Sequence, residues 1–140
     1  MLPKPLRRVS LYFRKRRNRR LCEIIDKLYQ ATGEPVNVLD IGGSLIFWLS
    51  IPEDTRNKCS IHTLNLPGVL ENLPPEEERL RKTVNMIVGD ARDLSIFADQ
   101  SFDMVVCNSV IEHVGNWLDM GQAANEARRV GKRGWFQAPA

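Results

Sequence analysis

The sequence predicts an α/β fold built on a doubly wound, mostly parallel sheet of about five strands. Three observations lead there: short branched apolar runs recur along the chain, helical or long polar stretches separate them, and small or polar residues cluster just after each run. At 140 residues, 43% hydrophobic and 26% charged, the chain has the size and composition of one globular domain. No apolar run approaches the ~18–20 residues of a membrane-spanning helix.

The elements follow in order. Residues 1–20 hold nine of the 20 bases and none of the 17 acids, which leaves residues 21–140 at a net −6. The run Arg14, Lys15, Arg16, Arg17, Arg19 and Arg20 repels itself and predicts a basic arm, solvated or disordered. With Leu11, Tyr12 and Phe13 beside it, the same run is a candidate contact for an anionic surface or nucleic acid. Residues 21–140 form the domain. Leu21, Ile24, Ile25 and Leu28 share one face of a helix ending near Gly33. Val36 to Ile41, bounded by Pro35 and Gly42, reads as a buried first strand. Further strands are expected at Ser60–Leu64, Val84–Val88, Asp103–Cys107 and Arg133–Gln137. A helix begins near Asn116, keeps helical spacing through Trp117, Met120, Ala123, Ala127 and Val130, carries Arg128 and Arg129 in its last turn and stops before Gly131.

Cys22, Cys59 and Cys107 are odd in number and far apart, which predicts reduced thiols rather than a disulfide framework or a metal site. The opening lacks the apolar block of a secretory signal, so a cytoplasmic location is expected. In doubly wound sheets ligands bind beyond the carboxyl ends of the strands, and those positions carry the functional content here. Asp40-Ile41-Gly42-Gly43-Ser44 follows the first strand without the G-x-G-x-x-G spacing of a dinucleotide-binding turn. Asn65 and Leu66 follow the second, Gly89-Asp90-Ala91 the third, and Asn108-Ser109-Val110-Ile111-Glu112-His113-Val114 the fourth.

In this order, with Phe102-Asp103 opening the fourth strand, the set resembles the class I S-adenosylmethionine-dependent methyltransferases, a Rossmann-like family, and especially the subgroup acting on small molecules. The resemblance covers about Val36 to Gln137. It implies S-adenosylmethionine as cofactor and a small-molecule acceptor. Asp40, Gly42 and Gly43 would line the methionine and ribose part, Asn65 would stand at the ribose position, Asp90 with Ala91 would receive the adenine, Asn108 and Ser109 would border the sulfonium, and Ser44 and Leu66 would belong to the same cofactor site. Two features depart from the family pattern: Ser44 and Ile46 stand where glycines usually continue, and Asn65 stands where an acid commonly binds the ribose hydroxyls, so weaker cofactor binding is expected. A complete domain of this family has a seven-stranded sheet, so the resemblance implies a partial domain, with the last strands missing and weak or absent turnover of its own.

Other readings stand beside this one. A nicotinamide-dependent oxidoreductase uses a similar sheet, but Asn65 and the missing glycine spacing argue against it. A non-catalytic binding module would keep the fold without turnover. Asp90 and Asp103 also suit turns at strand edges, His113 lacks an acidic partner in sequence that would orient it as a base, and Trp48, Trp117 and Trp135 suit packing. No catalytic residue is assigned.

Overall fold

The computed structural model describes residues 4–108 and 114–137. Its elements run α1 (Lys4–Thr32), β1 (Val36–Ile41), α2 (Leu45–Leu49), α3 (Glu53–Arg56), β2 (Cys59–Asn65), α4 (Pro75–Arg81), β3 (Asn85–Val88), β4 (Met104–Asn108), α5 (Trp117–Val130) and β5 (Gly134–Gln137). The strands form one sheet in the order β3-β2-β1-β4-β5, and every pairing is parallel. All five expected strands are present.

Alternation along β1 explains why both faces are covered. Val36 and Val38 face a core shared with Leu21 and Ile25 of α1 and with Leu45 and Trp48 of α2. Leu39 and Ile41 face a second core with Phe102 and with Ala127 and Val130 of α5. A strand with apolar residues on both faces stays buried only between two helical layers. The two outer strands are not buried on both faces: Val88 of β3 is 67% exposed and Phe136 of β5 48%.

The basic segment is not a disordered arm, because α1 runs unbroken from Lys4 to Thr32. Leu, Arg and Lys are strong helix formers, and once the packed second half is formed each added residue extends the ladder without a new nucleus. The side chains from Tyr12 to Arg20 are exposed except Asn18, so the solvated part of the expectation holds. The helix ends at Gly33, whose φ of +70° and N–H to the Tyr29 carbonyl close the last turn.

Helix α5 starts with a capping box. Asn116 Oδ1 accepts from the N–H groups of Leu118 and Asp119 at 2.9 and 3.0 Å, and Asp119 Oδ2 accepts from the Asn116 N–H at 3.3 Å. Its buried stripe is Ala123, Ala127 and Val130, whereas Trp117 is 85% exposed and does not pack as expected. Near the other end Arg129 bonds Glu126, Asp99 and the carbonyls of Leu94 and Phe97, fastening the connection from β3 to β4 onto α5. Among the described residues no helix is long and apolar enough to cross a membrane, and no cysteine forms a disulfide.

Candidate functional site

A parallel sheet directs all its carboxyl ends to one edge, and β1 changes neighbours from β2 to β4, the switch that leaves a crevice between diverging connections. A cleft of about 330 Å³ opens there, over the ends of β1, β2 and β3, within the size range of small-ligand pockets. Its floor and walls are largely apolar, from Ile41, Leu64, Leu66 and Val69, with Asn65 and Asp90 as polar points.

The turn after β1 forms one wall. Gly42 has φ +67°, a conformation glycine adopts without strain, and its N–H donates to the Leu64 carbonyl at 2.7 Å. Gly43 meets a different demand: a Cβ there would stand 2.5 Å from Asp40 Oδ2. Asn65 ties this turn to the next strand end by donating Nδ2 to the Gly43 carbonyl at 3.3 Å, and its own carbonyl accepts from the Gly89 N–H at 2.9 Å. Three strand ends are thus joined through one residue, 8% exposed, by its side-chain amide on one side and its backbone carbonyl on the other, and its Oδ1 is left as an acceptor.

Asp40 is not in the wall of the cleft. It is 1% exposed, beneath the glycine turn, and Trp48 Nε1 donates to its Oδ2 at 2.6 Å. Burial pushes its carboxyl up to about 8, against the opposing effect of the indole hydrogen bond. At neutral pH this is chiefly a neutral acid, unlike an exposed aspartate. Ser44 is exposed at the start of α2 and makes no side-chain cap.

Asp90 does reach the cleft, but with its oxygens engaged. Arg92 returns over the turn to place Nε at 3.0 Å and Nη2 at 2.6 Å from the two carboxylate oxygens, and its backbone N–H donates to Oδ1 at 2.9 Å. These bonds hold the Asp90 carboxyl below the usual range. Arg92 Nη1 also reaches Asp119 Oδ1 at 3.4 Å, so one guanidinium bridges the cleft and the first turn of α5.

Of the ten residues singled out in the sequence, Gly42, Asn65, Leu66, Asp90 and Ala91 line the cleft. Gly43 and Asp40 support it from below, and Asn108 ends β4 next to Gln137 of β5. Ser109, Glu112 and His113 lie outside the described residues. Asp103 lies at the opposite, amino edge, where its carboxylate accepts from the Asn37 N–H at 2.8 Å, as a strand-edge residue would. Sequence reasoning did not single out Trp48, Val69 or Arg92 for the site. A signal for Trp48 was the polar tip that a buried indole must satisfy; for Arg92, a base two residues beyond an acid at a turn. Among the described residues no three His, Cys, Asp or Glu side chains gather as metal ligands.

Comparison with known proteins bears on this geometry. The family described as a methyltransferase domain matches residues 56–136. None of the curated proteins matches. Among solved structures, the PH0226 protein from Pyrococcus horikoshii OT3 is similar at 28% identity and a TM-score of 0.56, over 79% of this chain and 53% of that one. A methyltransferase candidate from Bacillus halodurans C-125 is similar at 23% identity and a TM-score of 0.56, over 79% of this chain and 47% of its own. An O-methyltransferase family protein from Burkholderia thailandensis is similar at 15% identity and a TM-score of 0.54, over 84% of this chain and 36% of its own. The last two likenesses are of fold alone. This chain spans about half the length of the first two.

Proposed function

The chain belongs to the methyltransferase-domain family, and from that membership we propose that it is the cofactor-binding part of a methyltransferase that uses S-adenosylmethionine and a small-molecule acceptor. The observation that carries the reading is the cleft itself: five residues chosen for cofactor contact from their places after three different strands come together around one opening.

The donors and acceptors present fit such a cofactor. Leu64 and Leu66 offer an apolar wall for a flat base, Asn65 keeps an acceptor for ribose hydroxyls, and Gly42 and Gly43 keep side-chain bulk away from the amino-acid end. When bound, S-adenosylmethionine supplies an electrophilic methyl. The chain's own residues bind and orient it and exclude water, which is most of what alignment-driven transfer asks of a protein. Asn108 and Ser109 are assigned to the border of the reacting centre. A general base is needed only where the acceptor must lose a proton, and none is assigned.

Arg92 limits this fit. A carboxylate offers about four lone-pair sites, and Arg92 makes four contacts with Asp90 through its side chain and backbone. For Asp90 to accept from an adenine amino group, the guanidinium must withdraw, with Asp119 as its second anchor. Titration calorimetry with S-adenosylhomocysteine tests the assignment. The parent chain is expected to bind, Asp90→Ala to bind roughly 10- to 100-fold more weakly, and Arg92→Ala to bind more tightly than the parent. No heat from a folded parent chain would refute the cofactor reading and leave a binding module on the same fold.

A further inference from the structure

The first half of α1 carries the densest charge in the molecule and little packing. Tyr12 and Phe13 are 62% and 60% exposed, their rings edge to face at 5.7 Å. Among the described residues no acid lies within ion-pair distance of Arg14, Lys15, Arg16 or Arg20, while Arg19 has only an exposed pair with Glu23.

Two contacts locate this segment against the sheet. Asn18 Nδ2 donates at 3.0 Å to Oγ of Ser50, the C-cap residue of α2. Arg17 donates to the side-chain oxygen of Gln137, the last residue of β5. The helix therefore crosses the carboxyl edge of the sheet near residues 17 and 18. The residues before them continue for about 20 Å at 1.5 Å per residue, past the same edge on which the cleft opens.

We propose that this helical segment docks the domain on an anionic phospholipid surface. The charge distribution selects the partner and the pose. Residues 1–20 carry +9 and residues 21–140 carry −6, so a negative surface attracts the helix and repels the body, which orients the molecule helix first. Two exposed aromatic rings beside the bases suit the boundary between headgroups and acyl chains, where such side chains bury their apolar part and keep their polar surroundings wet. Duplex nucleic acid would use the charges but leave both rings in water, so the lipid surface accounts for more of what is exposed. The carboxyl edge then faces the surface, and an acceptor lying in or near it reaches the cleft by a short path. This inference concerns α1 alone and is independent of the cofactor assignment.

Cosedimentation of the 140-residue chain with vesicles tests it, in the absence of any cofactor. Binding is expected to phosphatidylcholine vesicles containing phosphatidylserine, to fall as salt rises, and to be lost with phosphatidylcholine alone. Replacing Arg14, Lys15, Arg16 and Arg20 by Gln should lower the partition coefficient more than about a hundredfold, since each base contributes roughly fivefold near such a surface. Tyr12→Ser with Phe13→Ser should lower it further without changing the salt slope. A control removing four bases elsewhere (Arg79, Lys82, Arg128 and Arg133 to Gln) makes the body more negative and should weaken binding, but far less than the α1 variant does. The proposal is overturned if anionic vesicles do not retain the chain, if the control loses binding as much as the α1 variant, if the aromatic variant binds as the parent does, or if duplex DNA at equal phosphate displaces the chain from the vesicles.

Discussion

Trp48 and Asp40 form a sealed pair: the indole N–H donates to the carboxyl Oδ2 at 2.6 Å, with Trp48 0% and Asp40 1% exposed. The acid sits next to the last residue of the central strand, and the tryptophan eight positions on returns to it from α2. The pair fixes the loop that carries Gly42 and Gly43.

It also makes stability depend on pH in an unusual direction. The carboxyl titrates near 3.8 when unfolded and at about 8 when folded. Between those values the folded state keeps a proton that the unfolded state has released, so this group makes the protein less stable as pH rises. Asp40→Asn removes the titration while its amide oxygen can still accept from Trp48. The variant is expected to gain on the parent by roughly 1 kcal/mol per pH unit between pH ~5 and ~7, measured by urea unfolding. Parallel pH profiles for the two proteins would rule out the neutral carboxyl.

Gly43→Ala is expected to destabilise the fold by about 1–3 kcal/mol, because the new methyl would stand 2.5 Å from Oδ2 and 2.7 Å from Cγ of Asp40. The same change should weaken S-adenosylhomocysteine binding, since the displaced turn bounds the cleft. Thermal unfolding at an unchanged midpoint would mean that the turn accommodates the methyl.

Thr63 stands opposite Asp40 in the β1–β2 register. It is 0% exposed, and among the described residues its hydroxyl finds no hydrogen-bond partner. Thr63→Val removes an unmet polar group at nearly constant shape, so unfolding free energy should rise by about 1 kcal/mol. A loss of stability would reveal a partner for the hydroxyl.

Asn116→Ala should cost about 1 kcal/mol by opening the capping box of α5. Faster amide exchange at Leu118 and Asp119 would localise the loss, whereas an unchanged exchange pattern would contradict the cap.

The sheet was legible because each strand is a short branched run with a boundary on either side, and the helix after Asn116 because its cap, its stripe and its final glycine agree with one another. The cleft was legible at Gly42, Asn65, Leu66, Asp90 and Ala91, since topology alone carries residues after parallel strands to one edge. Asp40 shows where this reasoning stops. Its place at a strand end did not reveal whether the carboxylate turns toward the cleft or into the helical layer, a choice settled by Trp48 arriving from α2. Arg92 likewise acts through a side-chain path that spacing does not fix. For residues 1–20, self-repulsion argued for disorder, but the charges sit on strong helix formers continuous with a helix already packed. Trp117 kept the periodicity of the buried stripe and still lies outside it, because its position at the first turn precedes the part of α5 that touches the sheet.

The register of the sheet has a consequence for how the chain assembles. Val36 pairs with Cys59, His62 with Asn85 and Val105 with Gly134, partners close along the chain, but Val38 pairs with Met104, across between two and three times the separation. Loop-closure entropy rises with the logarithm of length, which makes that central seam about 1 kcal/mol harder to close than its neighbours. The sheet therefore consists of two local modules, residues 36–88 and 104–137, sewn together once. Six of the eleven residues lining the cleft belong to the first of them and four more directly follow it, so its floor can be laid down before the seam is closed.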